Sequence, residues 1–391
     1  MPDTLGGFWM HGLRERVHAL DGLRTLAVSL VFMHHIFGGP AAKALANSHH
    51  EVAARFLSSF GAAGVELFFC LSGVVLLRRY LRDGQQLDAR KYFQRRITRL
   101  YPPFVVAWLF AGLSVWIIDR RPTWWSVTSS LPHFETGSFF MEAGLGVGSP
   151  TTYNWAWWSL APEMMFYALV PLLVYCLQRT RDLPASATNS LVACAIISLA
   201  SYALMPDAGH GQLLPMFAQY AICFAGGMLL ATRPLGKAER RGGAAVAVLL
   251  FIGAGFSDRV SLHVAYALIF LALIDLCMRS DTTISKVFGS DLLVWFGERS
   301  YSFFLTHFSI ICLSCYAASL FIQKGTLYVL ASRAMAIVVA PIVACMLFSM
   351  VERRFASGLT TADRPFPWSS STVATTGDSA LGITGNPAAR E

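Results

Sequence analysis

Apolar runs close to membrane-crossing length recur along almost the whole of this 391-residue chain, and they restrict its fold more than any other feature. In hydrocarbon every backbone N–H and C=O must be paired inside its own element, so only helices and closed barrels survive there. A spanning helix needs about 20 mostly apolar residues. The pattern predicts ten helices, over residues 21–38, 60–77, 101–118, 157–177, 189–206, 213–231, 243–256, 260–278, 300–322 and 327–350. The 243–256 run is short, so the count is nine or ten, and it turns into 260–278 through a tight hairpin at 257–259. Charged residues make up 14% of the chain and hydrophobic ones 55%, whereas a soluble domain is nearer one quarter charged. The expectation is an all-α, polytopic membrane helix bundle of about ten transmembrane helices over residues 1–355. Residues 356–391 are polar and aperiodic, which reads as a disordered cytoplasmic tail.

An even number of spans puts both termini on one side of the membrane. With the termini and alternate loops placed inside, 23 of the 31 Lys and Arg fall on that side. Six lie on the other: Lys43, Arg55, Arg120, Arg121, Arg259 and Lys324. The bias predicts cytoplasmic termini and makes the net charge of +8 mostly a topology signal. The basic residues border spans and form no domain of their own, so no nucleic-acid partner is expected. Ala44–Ala46 resembles a signal-peptidase site, but the preceding run carries Arg24, His34 and His35 and reads as a retained first helix. All eight cysteines fall inside expected spans, where Cys acts mainly as a small apolar filler. Cys312 and Cys315 have the spacing of a redox or metal pair but lack a second pair, and no metal is expected.

Ionisable side chains at membrane depth are functional candidates by default. Arg24 and His35 are eleven residues apart, about 20° off three full turns, so they share a face roughly 16 Å apart along the axis. Asp21, one turn before Arg24, can pair with it. His34 points about 100° away from His35 and is expected to face a neighbouring helix or the head-group region. Counted from the expected helix ends, His35, Glu66, Glu163 and Arg333 converge on one layer of the outer leaflet, while His307 lies nearer the cytoplasmic half. On the inner side Arg95, Arg96 and Arg99 cluster ahead of the third span. Arg96 and Arg99 are helical neighbours, a fork suited to phosphate, although basic runs also occur as plain topology signals or as anionic-lipid sites.

These residues fall within motifs that resemble the acyltransferase-3 family of bacterial membrane O-acyltransferases. In chain order they are "LDGLRTLAVSLVFMHH", "GVELFFCLSG", "RRITRLYPPF", "WWSLAPEMMFYALVP", "FGERSYSFFLTHFSI" and "VERRF". Glu66 stands where Asp is common, and the likeness runs from about residue 18 to 355. It implies transfer of an acyl group, often acetyl, from cytoplasmic acyl-CoA to a carbohydrate hydroxyl, with acyl-CoA as cosubstrate and no permanently bound cofactor. His35 maps to the family's presumed catalytic histidine, and Glu163 or Glu66 is expected to orient it. Arg24, Arg96 and Arg99 would serve the coenzyme A side. Asp21, His34, Trp158, Ser159, His307 and Arg333 would support the site or bind substrate. The expected setting is a bacterial plasma membrane, with the bilayer and glycan-assembly proteins as partners. The acceptor would be a cell-surface polysaccharide or lipopolysaccharide, or alternatively the sugar of a small molecule such as a macrolide. A transporter or flippase, whose intramembrane charges bind solute or relay protons, is the alternative class; the motif order shows no inverted repeat.

Overall fold

Helices occupy every one of the ten apolar segments, joined by shorter helices at the two ends of the bundle. The computed structural model describes residues 17–38, 51–82, 84–129, 131–144, 153–205, 212–254, 259–279 and 281–357. In chain order the elements are α1 (His18–Phe37), α2 (Glu51–Ala62), α3 (Gly64–Leu81), α4 (Ala89–Arg120), α5 (Trp124–Thr128), α6 (Thr136–Met141), α7 (Leu160–Leu177), α8 (Leu183–Leu204), α9 (Leu213–Thr232), α10 (Lys237–Ala254), α11 (Arg259–Cys277), α12 (Thr283–Phe288), α13 (Asp291–Glu298), α14 (Ser300–Phe321), α15 (Thr326–Leu347) and α16 (Arg353–Ser357). A 3₁₀ turn, Trp155–Ser159, leads into α7, and a π-helical turn, Phe348–Glu352, ends α15. No strand occurs among the described residues. The tail expected at 356–391 lies almost wholly outside them.

Seven helical stretches among the described residues are long and apolar enough to cross a membrane, with a shorter apolar helix at Leu262–Cys277. The fold is a polytopic all-α bundle. Besides that shorter helix, two more expected spans fall outside the seven for reasons visible in their sequences. Asp21, Arg24, His34 and His35 lower the hydropathy of α1, and α10 opens on Lys237, Glu239, Arg240 and Arg241. The third span is longer than expected: α4 runs unbroken for 32 residues, so Arg95, Arg96 and Arg99 sit on the helix itself. Pro102 and Pro103 lie within it one turn later, where their missing N–H groups leave the carbonyls of residues 98 and 99 without a helical donor. Nearby, the Tyr301 hydroxyl donates to the Leu100 carbonyl at 2.9 Å.

The centre is formed by α3, α9 and α14, the most enclosed spans, while α8 and α15 are the least enclosed. Outward faces stay apolar: Val192, Ile196, Ile337, Val338 and Ile342 are all exposed. Water would penalise that surface and lipid does not, which is the pattern of a bundle solvated by hydrocarbon.

Candidate active site

Two groups of polar residues emerge, joined through aromatic rings. The first lines a cleft. Arg24 of α1, Arg96 and Arg99 of α4, Ser72 of α3, and Glu163 and Tyr167 of α7 all face it. Their positions are fixed from below. The Tyr167 hydroxyl donates to the Glu163 carboxylate, and Ser72 Oγ donates to the same oxygen at 3.1 Å. Tyr92 donates to the Tyr167 carbonyl at 3.2 Å. The Arg96 guanidinium lies 5.6 Å from the ring centroids of both Tyr92 and Tyr167, a cation–π sandwich that holds a charge without neutralising it. Its Nε is buried and has no hydrogen-bond partner among the described residues. Behind the cleft, Ser302 Oγ donates to the buried Glu352 carboxylate at 2.6 Å. Glu352 is within electrostatic reach of Arg24 and Arg99. The extra residue per turn of the π segment carries Glu352, and such turns are frequent at functional sites. Asp21 acts electrostatically on Arg24 from one turn away.

The second group surrounds His35, which is buried. Its ring lies 4.8 Å from that of His34, 5.3 Å from His307 and 5.2 Å from Phe308. His307 is fully buried; its Nδ1 lies 2.8 Å from the Phe304 carbonyl and 3.2 Å from that of Phe303. His34 is tied to α2, with Nδ1 2.8 Å from the Ser58 carbonyl, while Ser58 Oγ donates back to the His34 carbonyl at 3.1 Å. On the far side of Phe308, Trp155 stacks at 6.0 Å. Asn154 Nδ2 and Trp157 Nε1 both donate to the Leu305 carbonyl, at 3.1 and 3.2 Å, and latch the 3₁₀ turn to α14. Phe304 joins the two groups: it lines the cleft and stands 5.9 Å from the His307 ring.

Several expected positions are corrected. His307 does not lie in a separate cytoplasmic half; it touches His35. Helix α13 packs beside the first turns of α1, with Thr25 Oγ1 donating to the Leu293 carbonyl at 2.5 Å and Gly297 seated against the Asp21 backbone. Helix α14 therefore starts part-way up α1, and seven residues, about 10 Å, bring His307 level with His35. The carboxylates do not converge on His35 either. Glu66, buried on the first turn of α3, lies against the His263 ring of α11. The His263 ring stacks on Tyr202 at 5.0 Å and meets Tyr220 edge-on at 5.2 Å. Glu163 belongs to the arginine cleft. Arg333 is buried beside Ser332 and within electrostatic reach of Cys315, two turns from His307 toward the C-terminal end of α14. Counting depth from helix ends assumed that all helices start at one level, and they do not. Ser159 lines the cleft and Trp158 packs 5.6 Å from Tyr220. His263, Tyr167 and Glu352 escaped the sequence reading, although Glu163 and Tyr167 are four apart on one helix, a spacing that brings side chains together.

The family model described as an acyltransferase domain matches residues 17–350. The chain belongs to the acyltransferase-3 family. Among relatives of this family member, a Staphylococcus aureus (strain COL) protein provisionally named an O-acetyltransferase is 21% identical over 344 residues, covering 78% of this chain and 52% of its own. The peptidoglycan O-acetyltransferase OatA of Listeria monocytogenes is 22% identical over 344 residues, 77% of this chain and 50% of its own. A Bacillus subtilis protein provisionally named a peptidoglycan O-acetyltransferase is 26% identical over 208 residues, 47% of this chain and 28% of its own. The chain thus spans about half the length of the curated relatives it matches most fully. No solved structure matches it.

Proposed function

We propose that this acyltransferase-3 protein is a membrane O-acetyltransferase. It takes an acyl group, acetyl by preference, from cytoplasmic acyl-CoA and delivers it to a carbohydrate hydroxyl at the outer face of a bacterial plasma membrane. The observation that carries the reading is the meeting of Arg24, Arg96 and Arg99 on one cleft that reaches the buried histidines through Phe304. Guanidinium groups match phosphate oxygens in planar, bidentate fashion, and coenzyme A presents phosphates at one end and a thioester at the other. The names of the relatives favour a glycan acceptor, so peptidoglycan, lipopolysaccharide and exopolysaccharide come before a macrolide sugar as substrates to try.

A hydroxyl is a weak nucleophile at neutral pH, and acyl transfer to it needs a base or a covalent relay. His35 is the candidate. As the acceptor oxygen attacks the thioester carbon, His35 draws off the hydroxyl proton. The C–S bond breaks, and the coenzyme A thiolate leaves and takes up a proton. Alternatively the imidazole itself accepts the acyl group and passes it outward, a route suited to donor and acceptor on opposite sides of the bilayer. A transporter reading loses its support with the family match, because acyl transfer accounts for the same buried charges.

The test is direct. Protein purified into lipid discs should release free thiol from acetyl-CoA when acceptor is present. Arg96→Ala and Arg99→Ala should each raise the donor KM about tenfold, the size of one lost charge-assisted contact. The Lys variants should recover only part, since ammonium lacks the planar fork. Wild-type donor KM in both Ala variants would sink the assignment of the cleft.

A further inference from the structure

We infer that His307 is the positioning partner of His35, the part a carboxylate plays in a Ser–His–Asp triad, and that it receives the proton His35 gives up. The inference rests on the acyl-transfer reading above. Its geometry starts from a tautomer. A carbonyl oxygen only accepts hydrogen bonds, and His307 Nδ1 sits against two of them, Phe304 and Phe303, at 2.8 and 3.2 Å. Nδ1 therefore carries the proton. In the neutral ring Nε2 is then a bare lone pair. That Nε2 is buried with no partner among the described residues, a state that costs folding free energy.

An orphaned acceptor at the centre of a bundle calls for a donor. With Nδ1 turned back onto its own helix, Nε2 is left to a neighbouring element, and the α1 rings beside His307 are those of Phe32 and His35. Phe32 has no polar hydrogen to offer, and His35 has one. No hydrogen bond to the His35 ring occurs among the described residues, and the two rings stand 5.3 Å apart at 44°. At that separation facing imidazole nitrogens come within hydrogen-bond range after a modest ring rotation, and catalytic hydrogen bonds often tighten only when substrate is bound. The neighbouring titratable groups have other commitments: His34 is held by Ser58, Glu352 by Ser302, Glu66 by His263 and Glu163 by Tyr167, while Arg333 lies two turns from His307 toward the C-terminal end of α14.

The step balances. The acceptor O–H bond breaks as the new O–C bond forms, and its proton goes to the free nitrogen of His35. The proton on the other His35 nitrogen moves to His307 Nε2. The coenzyme A thiolate released by C–S cleavage is the final proton acceptor. His307 thereby fixes which His35 nitrogen faces the acceptor, as well as taking up charge.

Two measurements test this. Steady-state transfer is compared for wild type, His307→Phe and His307→Asn at matched membrane abundance. The expected result is a kcat loss of about 100-fold, the scale of a lost proton-transfer step, with the acetyl-CoA KM within twofold of wild type. A His307→Phe enzyme that retains more than half of wild-type kcat overturns the inference, and so does a matching rise in donor KM, which would mark a purely packing role. Should the variants fail to reach the membrane, wild type alone decides through a proton inventory in mixed H₂O and D₂O at saturating substrates. Two protons in flight give a curved plot; a straight line overturns the relay. If wild type transfers no acyl group at all, the functional reading itself fails, an outcome distinct from an active enzyme indifferent to residue 307.

Discussion

Two adjacent histidines with different anchors make the sharpest comparison at the scale of single residues. His34 is clamped to α2 by Ser58, whereas the His35 ring stands among the rings of His34, His307 and Phe308, with no hydrogen bond among the described residues. A clamped imidazole serves to orient the helix pair; one whose nitrogens are unclaimed is able to exchange protons. His35→Ala should reduce acceptor acylation by at least about 100-fold, as expected for loss of a general base. His34→Ala and Ser58→Ala should retain a substantial fraction and should instead lower the thermal midpoint in detergent. Equal loss in His34→Ala and His35→Ala, measured at matched abundance, would remove the distinction. The sequence made this pair legible because helical geometry turns neighbours about 100° apart. It did not reveal Ser58, whose helix α2 precedes α3 where a loop was expected. Nor did it reveal the Glu66–His263 pair, whose members are nearly 200 residues apart and share no local pattern.

Packing between elements depends on close backbone approach at the centre. A Cβ placed on Gly73 of α3 would stand 2.5 Å from the Phe224 carbonyl oxygen and 2.9 Å from the Gly227 Cα of α9. Backbone atoms of a central helix have no room to yield, so Gly73→Ala should cost about 1–3 kcal/mol, the usual range for overpacking, read as a lower thermal midpoint. At the start of α10 the Arg233 guanidinium grips Glu239 at 2.8 and 2.7 Å, and the Gly236 amide adds 2.7 Å. The Arg233 hydrogen bonds pull the Glu239 carboxyl down to about 2. A depressed carboxylate contributes stability that is complete above its unfolded value and is lost as pH falls through the folded one. Glu239→Gln should therefore cost stability at pH 7 and nothing well below pH 2. The pair is partly exposed, which limits the neutral-pH cost to about 1 kcal/mol or less. Such element-level features were half visible in the chain. The ten apolar runs located the helices, because hydrocarbon length and pairing leave few options. Their relative heights were not visible, because the level at which α14 starts depends on α13 packing against α1.

Across the whole molecule, the arrangement we propose needs a sidedness: the arginine cleft must open to cytoplasmic acyl-CoA, and the His35 group must lie toward the acceptor. The charge bias argues for that orientation independently of any site residue, with 23 of 31 Lys and Arg in the segments assigned to the inside. Positive loops resist translocation, and the bias weighs most in short loops close to the spans. The segments 178–182 and 233–241 meet that condition, with Arg179, Arg181, Arg233, Lys237, Arg240 and Arg241 beside apolar helices, while the turn between α14 and α15 carries Lys324. A reporter enzyme that folds only outside the cytoplasm, fused after residue 182, should be inactive; fused after residue 323, it should be active. With ten spans, α8 with α9 and α10 with α11 each return the chain to its starting side, and α14 then carries it across, so the two points should fall on opposite sides. Active fusions at 182 and silent ones at 323 would invert the bundle. The Arg24, Arg96 and Arg99 cleft would then face outward, away from cytoplasmic acyl-CoA, and the donor assignment would fall with the topology.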